Sequence, residues 1–417
     1  GLTLPITRYA GELLRGGAVS AILLLTSLAV FVPALLLSAI PPLVVKLQLG
    51  DLRNTGRVVG RLSSIGTLGA VTATLVTGFI LVAALPTSVI VIGLAVALGI
   101  AGIAVGLYLR RRDGAAPPGS PRTGAALAVV GLVSVTLSAV APTPCDVETA
   151  YHCASVTADD PGRSGGRLLT LNSARHSYVD LNDPTFLEFA YTKWIGGVAD
   201  VMAPAGQPLD AVHLGGGGFT IPRYLAATRP GTRSEVYELD GALVALDRRE
   251  LGLRTGPSLV AKVGDARILI GGRASASADL VVGDAFGHLV VPWHLATREM
   301  AAEVRRVTRP GGIYVQNVID YPPLRFARAE TATVQAVFPN VALIAPRAAL
   351  SGDRGANFLI VASAAPLPLD RLRSRLPADD EGLQVALLAG DELAAFVRHA
   401  RVLTDDYAPV DQLLAAP

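Results

Sequence analysis

The chain reads as an α-helical transmembrane bundle followed by an α/β doubly wound domain, with a small β lead-in between them. Three observations predict this. Apolar residues make up 51% of the 417, and the long apolar runs crowd into the first third, where they approach bilayer-spanning length. Beyond residue 200, strand patterns alternate with helix patterns, the mark of a parallel sheet wrapped by helices. Within that part, Ala211-Val-His-Leu runs into Gly215, Gly216, Gly217 and Gly218 before a helix start, and the next strand ends at Glu238. The expected organisation is a transmembrane domain over 1–142, the lead-in over 143–200 and the α/β domain over 201–417.

Four spans are expected, near Ala18–Ile40, Ser63–Ala84, Ser88–Leu109 and Ala125–Ala141; the fourth is short and also reads as a buried soluble helix. Leu2–Leu14, with Arg8, Glu12 and Arg15, reads as an interfacial helix or the tail of a lost span. No small-residue cleavage site closes the first apolar run, which argues against a cleaved signal peptide. A chain starting on Gly is expected to have lost upstream residues, and its membrane domain to be incomplete.

Orientation follows from the loops. Lys46, Arg53, Arg57 and Arg61 stand against Asp51 after the first span. Arg110, Arg111, Arg112 and Arg122 stand against Asp113 after the third, and the turn around Pro86 is uncharged. Both basic loops belong on the cytoplasmic side. The fourth span then delivers the C-terminal part outside, where Asp146, Glu148, Asp159 and Asp160 precede Arg163. The two cysteines, Cys145 and Cys153, lie on that side. They read as a disulfide closing a small loop; free thiols, or a zinc pair completed by His152, are the alternatives. The six histidines show no metal-ligand spacing, so no metal is expected. The net charge of +2 is too small for a nucleic-acid partner.

In the lead-in, Leu168-Leu-Thr-Leu and Ser177-Tyr-Val-Asp read as strands around a turn at Asn172 and Ser173, and Phe186–Ala199 as a helix. Parallel strands are expected near Ala211–Leu214, Ser234–Leu239, Ser258–Val263, Leu280–Val282 and Gly312–Asn317. Helices are expected near Ile221–Thr228, Ala242–Glu250, Leu295–Thr308 and Leu324–Val337. Val341–Ala345 and Asn357–Ala362 read as an antiparallel hairpin closing the sheet. Pro366–Asp379 reads as a connector and Asp391–Arg401 as a last helix.

Glycines between a strand and a helix let the backbone approach a ligand, and the helix N-terminus offers free N–H groups. Glu238, roughly 20 residues on, stands where an acid accepts ribose hydroxyls. Asp265 and Asp284 end two further strands, where ligands bind in such sheets. His213, inside a strand, reads as a core histidine. His288 and His294 are candidates for substrate contact, and Trp293 for packing. Asp405, Asp406 and Asp411 read either as pocket wall or as a solvated loop.

These residues resemble a known family. The soluble part resembles spermidine synthases and their relatives, which share the S-adenosylmethionine-dependent methyltransferase fold. The whole chain, over roughly residues 20–417, resembles the membrane-fused spermidine synthase-like proteins of bacteria. The marks are Ser38-Ala-Ile-Pro-Pro-Leu-Val-Val-Lys, the glycine loop, Glu238, Asp265, Asp284-Ala-Phe-Gly with Val291-Pro-Trp-His-Leu, and Leu403-Thr-Asp-Asp-Tyr-Ala-Pro-Val-Asp. The resemblance implies decarboxylated S-adenosylmethionine, or S-adenosylmethionine itself, as co-substrate. Glu238 would hold its ribose, Asp265 its adenine amino group, and His176 would stand where a Gln usually lies near the donor. Asp284 would be the catalytic acid that deprotonates the attacking amine, beside Tyr191. A small amine acceptor, a lipid bilayer and a second copy of the chain are the implied partners.

The chain also departs from the family pattern. Gly218 replaces the Asp that grips the donor amine, and Lys193 replaces a Glu. Ala285-Phe286-Gly287-His288 replaces Ser-Ser-Asp-Pro. A dication needs paired acids to offset its desolvation, so putrescine is a poor expectation. The leading reading is a membrane-anchored transferase of aminopropyl or methyl groups. The alternatives are an extracytoplasmic scaffold built on a retired transferase domain, and a transport-linked protein. The spans carry hydroxyls such as Thr72, Thr74 and Thr77 but no charges, which weighs against ion-coupled transport.

Overall fold

The computed structural model describes residues 3, 8, 19–48, 55–112, 129, 131, 133–138, 140, 141, 143, 145–158, 163–287, 289–378, 382 and 384–414. Most of Leu2–Leu14, together with Arg15, Asp51, Arg53, Asp113, Arg122, Asp159, Asp160 and His288, lies outside them, as does much of Ala125–Ala141. The chain divides into two compact units, Gly1–Cys153 and Ala154–Pro417.

Among the described residues, the first unit holds three helices long and apolar enough to cross a membrane, Leu23–Lys46, Thr55–Ala84 and Thr87–Tyr108. Their apolar side chains are uncovered; Leu68 and Phe79, for example, are exposed. The break between the second and third falls at Leu85, whose backbone is extended (φ −131°, ψ 144°). Pro86 imposes this, because its ring disfavours helical geometry in the residue before it. Of the expected fourth span, residues 133–138 are helical. Cys145 and Cys153 are bonded to each other, with Cα atoms 5.4 Å apart. This selects the disulfide among the three readings of the pair. Inside the loop they close lies a short strand, β1 (Val147–Glu148), and the Thr149 N–H donates to the His152 carbonyl.

At the unit boundary begins β2 (Cys153–Ala158), followed by β3 (Gly166–Leu171) and β4 (Ala174–Asp180), an antiparallel meander. The β3–β4 turn sits at Asn172 and Ser173, both left-handed at φ 50° and 70°. Two consecutive positive φ values suit the twist of a tight hairpin. β2 was not expected from the sequence. Next come α1 (Ala190–Met202), β5 (Asp210–Leu214), α2 (Thr220–Thr228), β6 (Arg233–Glu238), α3 (Gly241–Glu250), β7 (Leu259–Val263), α4 (Ala266–Gly271) and β8 (Ala278–Gly283). The chain continues through α5 (Arg298–Val307), β9 (Thr308–Asp320), α6 (Arg325–Gln335), β10 (Asn340–Pro346), α7 (Arg347–Leu350), β11 (Ala356–Ser363), α8 (Leu369–Arg373), β12 (Val385–Leu388), α9 (Gly390–Phe396) and α10 (Val410–Leu413).

The large sheet has the order β12-β10-β11-β9-β8-β5-β6-β7. It is mixed, parallel over its central strands with antiparallel strands at one end. β7, β6, β5, β8 and β9 are parallel, but β11 runs antiparallel to both β9 and β10, and β12 antiparallel to β10. The expected hairpin is present as β10–β11, yet it does not simply add to an edge. Its second strand slots between β9 and the first.

Alternation along each strand builds two cores. On β5, Val212 and Leu214 face one side and Ala211 the other; on β9, Tyr314 and Val318 oppose Ile313 and Val315. Side chains two apart share a face because the pleat has period two. The first face is covered by Met300 and Val304 of α5 and Phe326 of α6. The second is covered by Trp194, Ile195 and Val198 of α1 with Leu225 of α2. Helix α1, read as part of the lead-in, is therefore one of the layers that flank the sheet. Its C-terminal end and the turn that follows are held by buried Arg229, which donates to the carbonyls of Ala199, Ala203, Pro204 and Gln207. A helix end leaves such acceptors without intrahelical partners, and this guanidinium supplies them. His213 is buried, 3.3 Å from the Ser234 hydroxyl, and burial lowers its pKa to about 3; it is the core histidine its position suggested.

Candidate active site

The topology puts the C-terminal ends of β5, β6, β7 and β8 side by side. Gly215 follows β5 with φ 96°, and a Cβ there would stand 2.5 Å from the Asp284 carbonyl oxygen. Only a residue without a Cβ permits that approach. The N–H groups of Gly216 and Gly217 donate to Glu238 Oε2 at 2.8 and 3.3 Å, and Gly218 N–H donates to Ser177 Oγ at 3.0 Å. The Phe219 ring turns under the loop into an apolar cluster with Val236, Val244, Leu253 and Leu259.

Glu238 is buried at the end of β6, and its other oxygen accepts the Asp240 N–H at 2.9 Å. Burial raises its pKa, and the three backbone donors pull it back. Asp265 caps α4, accepting from the Arg267 and Ile268 N–H groups. Its second oxygen lies 3.0 Å from His294 Nε2. Around these acids three apolar side chains stay uncovered: Leu239 at 46% exposure, Val263 at 57% and Ile268 at 77%. Val263 is the register partner of Glu238.

Asp284 follows β8 and opens onto a cavity of about 240 Å³ lined by Arg175, His176, Tyr191, Asp284, Asn317 and Asn357, with aromatic and aliphatic neighbours that include Phe189 and Phe286. Asn317 Nδ2 donates to Asp284 Oδ1 at 2.8 Å, and Asn357 Nδ2 donates to Asn317 Oδ1 at 3.0 Å. Tyr191 also hydrogen-bonds the carboxyl. Burial pushes the Asp284 pKa up to about 6, against the lowering effect of Asn317 and Tyr191. The two regions meet at His176. Its ring lines the cavity and also stands 3.1 Å from where a Cβ on Gly217 would lie.

The fold thus brings together Gly215, Gly216, Gly217, Gly218, Glu238 and His176 on one side, and Asp284 with Tyr191 on the other. His294 is placed against Asp265 rather than in the wall of the Asp284 cavity. Trp293, expected to pack, is 52% exposed, with its ring edge-on to His294 at 5.7 Å; the short turn Trp293–Leu295 buries only Leu295. Asp405 belongs to neither cluster: it makes a two-pronged pair with Arg267. Among the described residues, no group of three His, Cys, Asp or Glu could hold a metal ion.

Sequence reasoning missed Asn317, Asn357, Arg175 and Ser177. Asn317 does carry a signal, since it sits with Gln316 inside an otherwise apolar strand and both are buried. A buried amide needs a partner, and here the partner is the site's own acid.

No protein-family model matches the chain. A curated polyamine aminopropyltransferase of Vibrio vulnificus (strain CMCP6) is 26% identical over 191 residues, which are 45% of this chain and 58% of that protein. The chain therefore spans less than two thirds of the length of the curated relative it matches. The crystal structure of a probable spermidine synthase from Corynebacterium glutamicum ATCC 13032 aligns with a TM-score of 0.58 and 28% identity, covering 65% of this chain and 98% of that one. By these two matches the chain is spermidine synthase-like in its α/β part.

Proposed function

We propose that the protein is a membrane-anchored transferase that moves an aminopropyl or methyl group from an adenosyl donor to an amine. The observation that carries this is the adjacency at His176. A glycine loop with a ribose-type acid adjoins a cavity holding the Asp284 carboxyl, whose pKa burial raises. The uncovered Leu239, Val263 and Ile268 around Asp265 suit the face of a purine, because exposed apolar groups rimmed by acids mark ligand surfaces. When bound, the donor supplies an electrophilic carbon on a sulfonium. The amine lone pair forms the new C–N bond as the C–S bond breaks, leaving its electrons on sulfur. Asp284 takes the ammonium proton, and Tyr191 and Asn317 hold its carboxyl toward the cavity.

The test is calorimetric titration of the detergent-solubilised chain with S-adenosylmethionine, its decarboxylated form and 5′-methylthioadenosine. Saturable binding of at least one is expected. Asp265→Ser keeps a side-chain oxygen for capping α4 but removes the carboxylate, and is expected to weaken that binding by about tenfold or more. Undiminished binding in that variant would remove Asp265 from the site.

The basic loops that carry Lys46, Arg57, Arg61 and Arg111, together with the Cys145–Cys153 bond, support an extracytoplasmic position for the C-terminal unit. After reduction of intact cells, a membrane-impermeant maleimide is expected to label both cysteines. Labelling only after lysis would reverse the orientation.

A further inference from the structure

We infer that Asp405 is a positioning residue for the donor's base: through Arg267 it holds Asp265 and His294 in the arrangement that reads an adenine amino group. This rests on the transferase reading, in which Asp265 contacts the purine, and deepens it. The segment that carries Asp405 is a tight reversal near the far end of the chain. Thr404 N–H donates to the Tyr407 carbonyl at 3.0 Å, and Tyr407 N–H to the Thr404 carbonyl at 2.9 Å. Its root is fixed on two sides. Buried Leu403 donates its N–H to Thr333 Oγ1 of α6 at 2.8 Å, and its carbonyl accepts the Arg298 N–H of α5 at 2.9 Å. The Asp405 N–H donates to Glu299 Oε2 at 3.0 Å. Main-chain bonds therefore set where the Asp405 carboxylate stands.

That carboxylate takes both terminal nitrogens of Arg267, and Thr297 Oγ1 donates to it at 2.8 Å. The same guanidinium donates to the His294 carbonyl at 2.7 Å and to Thr297 Oγ1 at 2.9 Å. Arg267 also touches Asp265 directly, since its backbone N–H donates to Asp265 Oδ1 at 2.8 Å. The other Asp265 oxygen lies 3.0 Å from His294 Nε2. One arginine thus grips both neighbours of the Asp265 carboxylate, its own N–H on one side and the turn bearing His294 on the other. A guanidinium is a rigid fork, so a carboxylate that engages two of its nitrogens fixes its plane as well as its place. Without Asp405 the fork keeps its charge and loses the partner that orients it. Both side chains of the pair reach solvent, so the pair adds little to global stability. Its effect falls on the geometry of the base-reading acid.

The test titrates the full chain with 5′-methylthioadenosine and with 5′-methylthioinosine, which carries an oxygen acceptor where adenine carries an amino donor. The wild type is expected to favour the adenosine compound by about thirtyfold, because an oxygen facing a carboxylate leaves both without a proton to share. Asp405→Ala is expected to weaken the adenosine compound about tenfold and to leave the inosine compound within about twofold, so that the ratio collapses. Asp405→Asn keeps an oxygen for Thr297 and loses the charge, so it should fall between and carries the same test if the Ala variant is unstable. Donor KM should rise in both variants while kcat at saturating donor stays within about twofold. In an Arg267→Met background, Asp405→Ala should change nothing further, since the two residues act as one unit. An unchanged nucleoside ratio, an equal loss for both nucleosides, or additive effects in the double variant would overturn the inference. If Asp265→Ser weakens binding while Asp405→Ala and Asp405→Asn leave the ratio intact, this inference falls alone. If the wild type binds none of the adenosyl compounds, it falls together with the transferase reading.

Discussion

Asp284→Asn is expected to lower turnover by about 10² to 10⁴, the usual contribution of a positioned general base. The amide keeps the size of the side chain and can still accept from Asn317 Nδ2, which donates to Oδ1 at 2.8 Å. What it cannot do is take a proton. The pH profile separates this from a packing defect. Burial pushes the Asp284 pKa up to about 6, so the fraction able to act as a base grows as pH rises through that value. The wild-type log kcat/KM should rise with unit slope below pH 6 and level off above it, and Asp284→Asn should lack this limb. Stability carries the opposite sign. A carboxyl whose pKa is higher folded than unfolded binds protons more tightly in the native state, so stability falls as pH rises from about 4 to about 6. The Asn variant should lose that slope and be no less stable than wild type at pH 7. A variant with the wild-type rate and an intact acid limb would exclude Asp284 as the base.

Gly215→Ala should be the most damaging single-methyl change in the site. The backbone there has φ 96°, which L side chains rarely adopt, and the added carbon would meet the Asp284 carbonyl oxygen at 2.5 Å and its carbon at 2.9 Å. Both neighbours are backbone and cannot rotate away. Strain and overpacking together are expected to cost about 3 kcal/mol or more, roughly 6–12 °C in Tm for a unit of this size. The shift should also separate the glycine loop from the acid, so nucleoside binding and turnover fall together. Gly256→Ala is the matched control, because nothing lies within 4 Å of its added carbon. Differential scanning fluorimetry of both variants checks this; equal melting temperatures would contradict the close approach at Gly215.

Much of the fold was legible because its signals are local. The run from Ala211 to Phe219 announces strand, turn and helix by composition alone, and Glu238, Asp265 and Asp284 mark strand ends because each follows an apolar run. The Asn172–Ser173 turn was equally plain. What escaped depends on distant partners. An Asn inside a strand has the same local appearance whether it lines a cavity or caps a loop, so Asn317 and Asn357 acquired meaning only when β9 and β11 paired. His294 and Asp265 are 29 positions apart, and nothing in either segment points to the other. β12 lies beyond a proline-rich connector, and four residues are too short a run to show a period. The antiparallel hairpin of β10 and β11 was legible from its spacing. Direction within a sheet is set by connection length, and the short crossing between β10 and β11 reverses the chain.

The place of β11 has a consequence for how the protein is made. Asn357 enters the pocket from a strand held on both sides, between neighbours synthesised before it. A nascent chain ending short of residue 356 would present β9 as a raw edge, with unmet N–H and C=O groups and an open, half-walled pocket. Such an edge invites pairing with another chain. Asn317, which donates to the reactive acid, is thus left without the Asn357 amide behind it until β11 has emerged, and a premature stop yields an inert, association-prone fragment instead of a leaky enzyme.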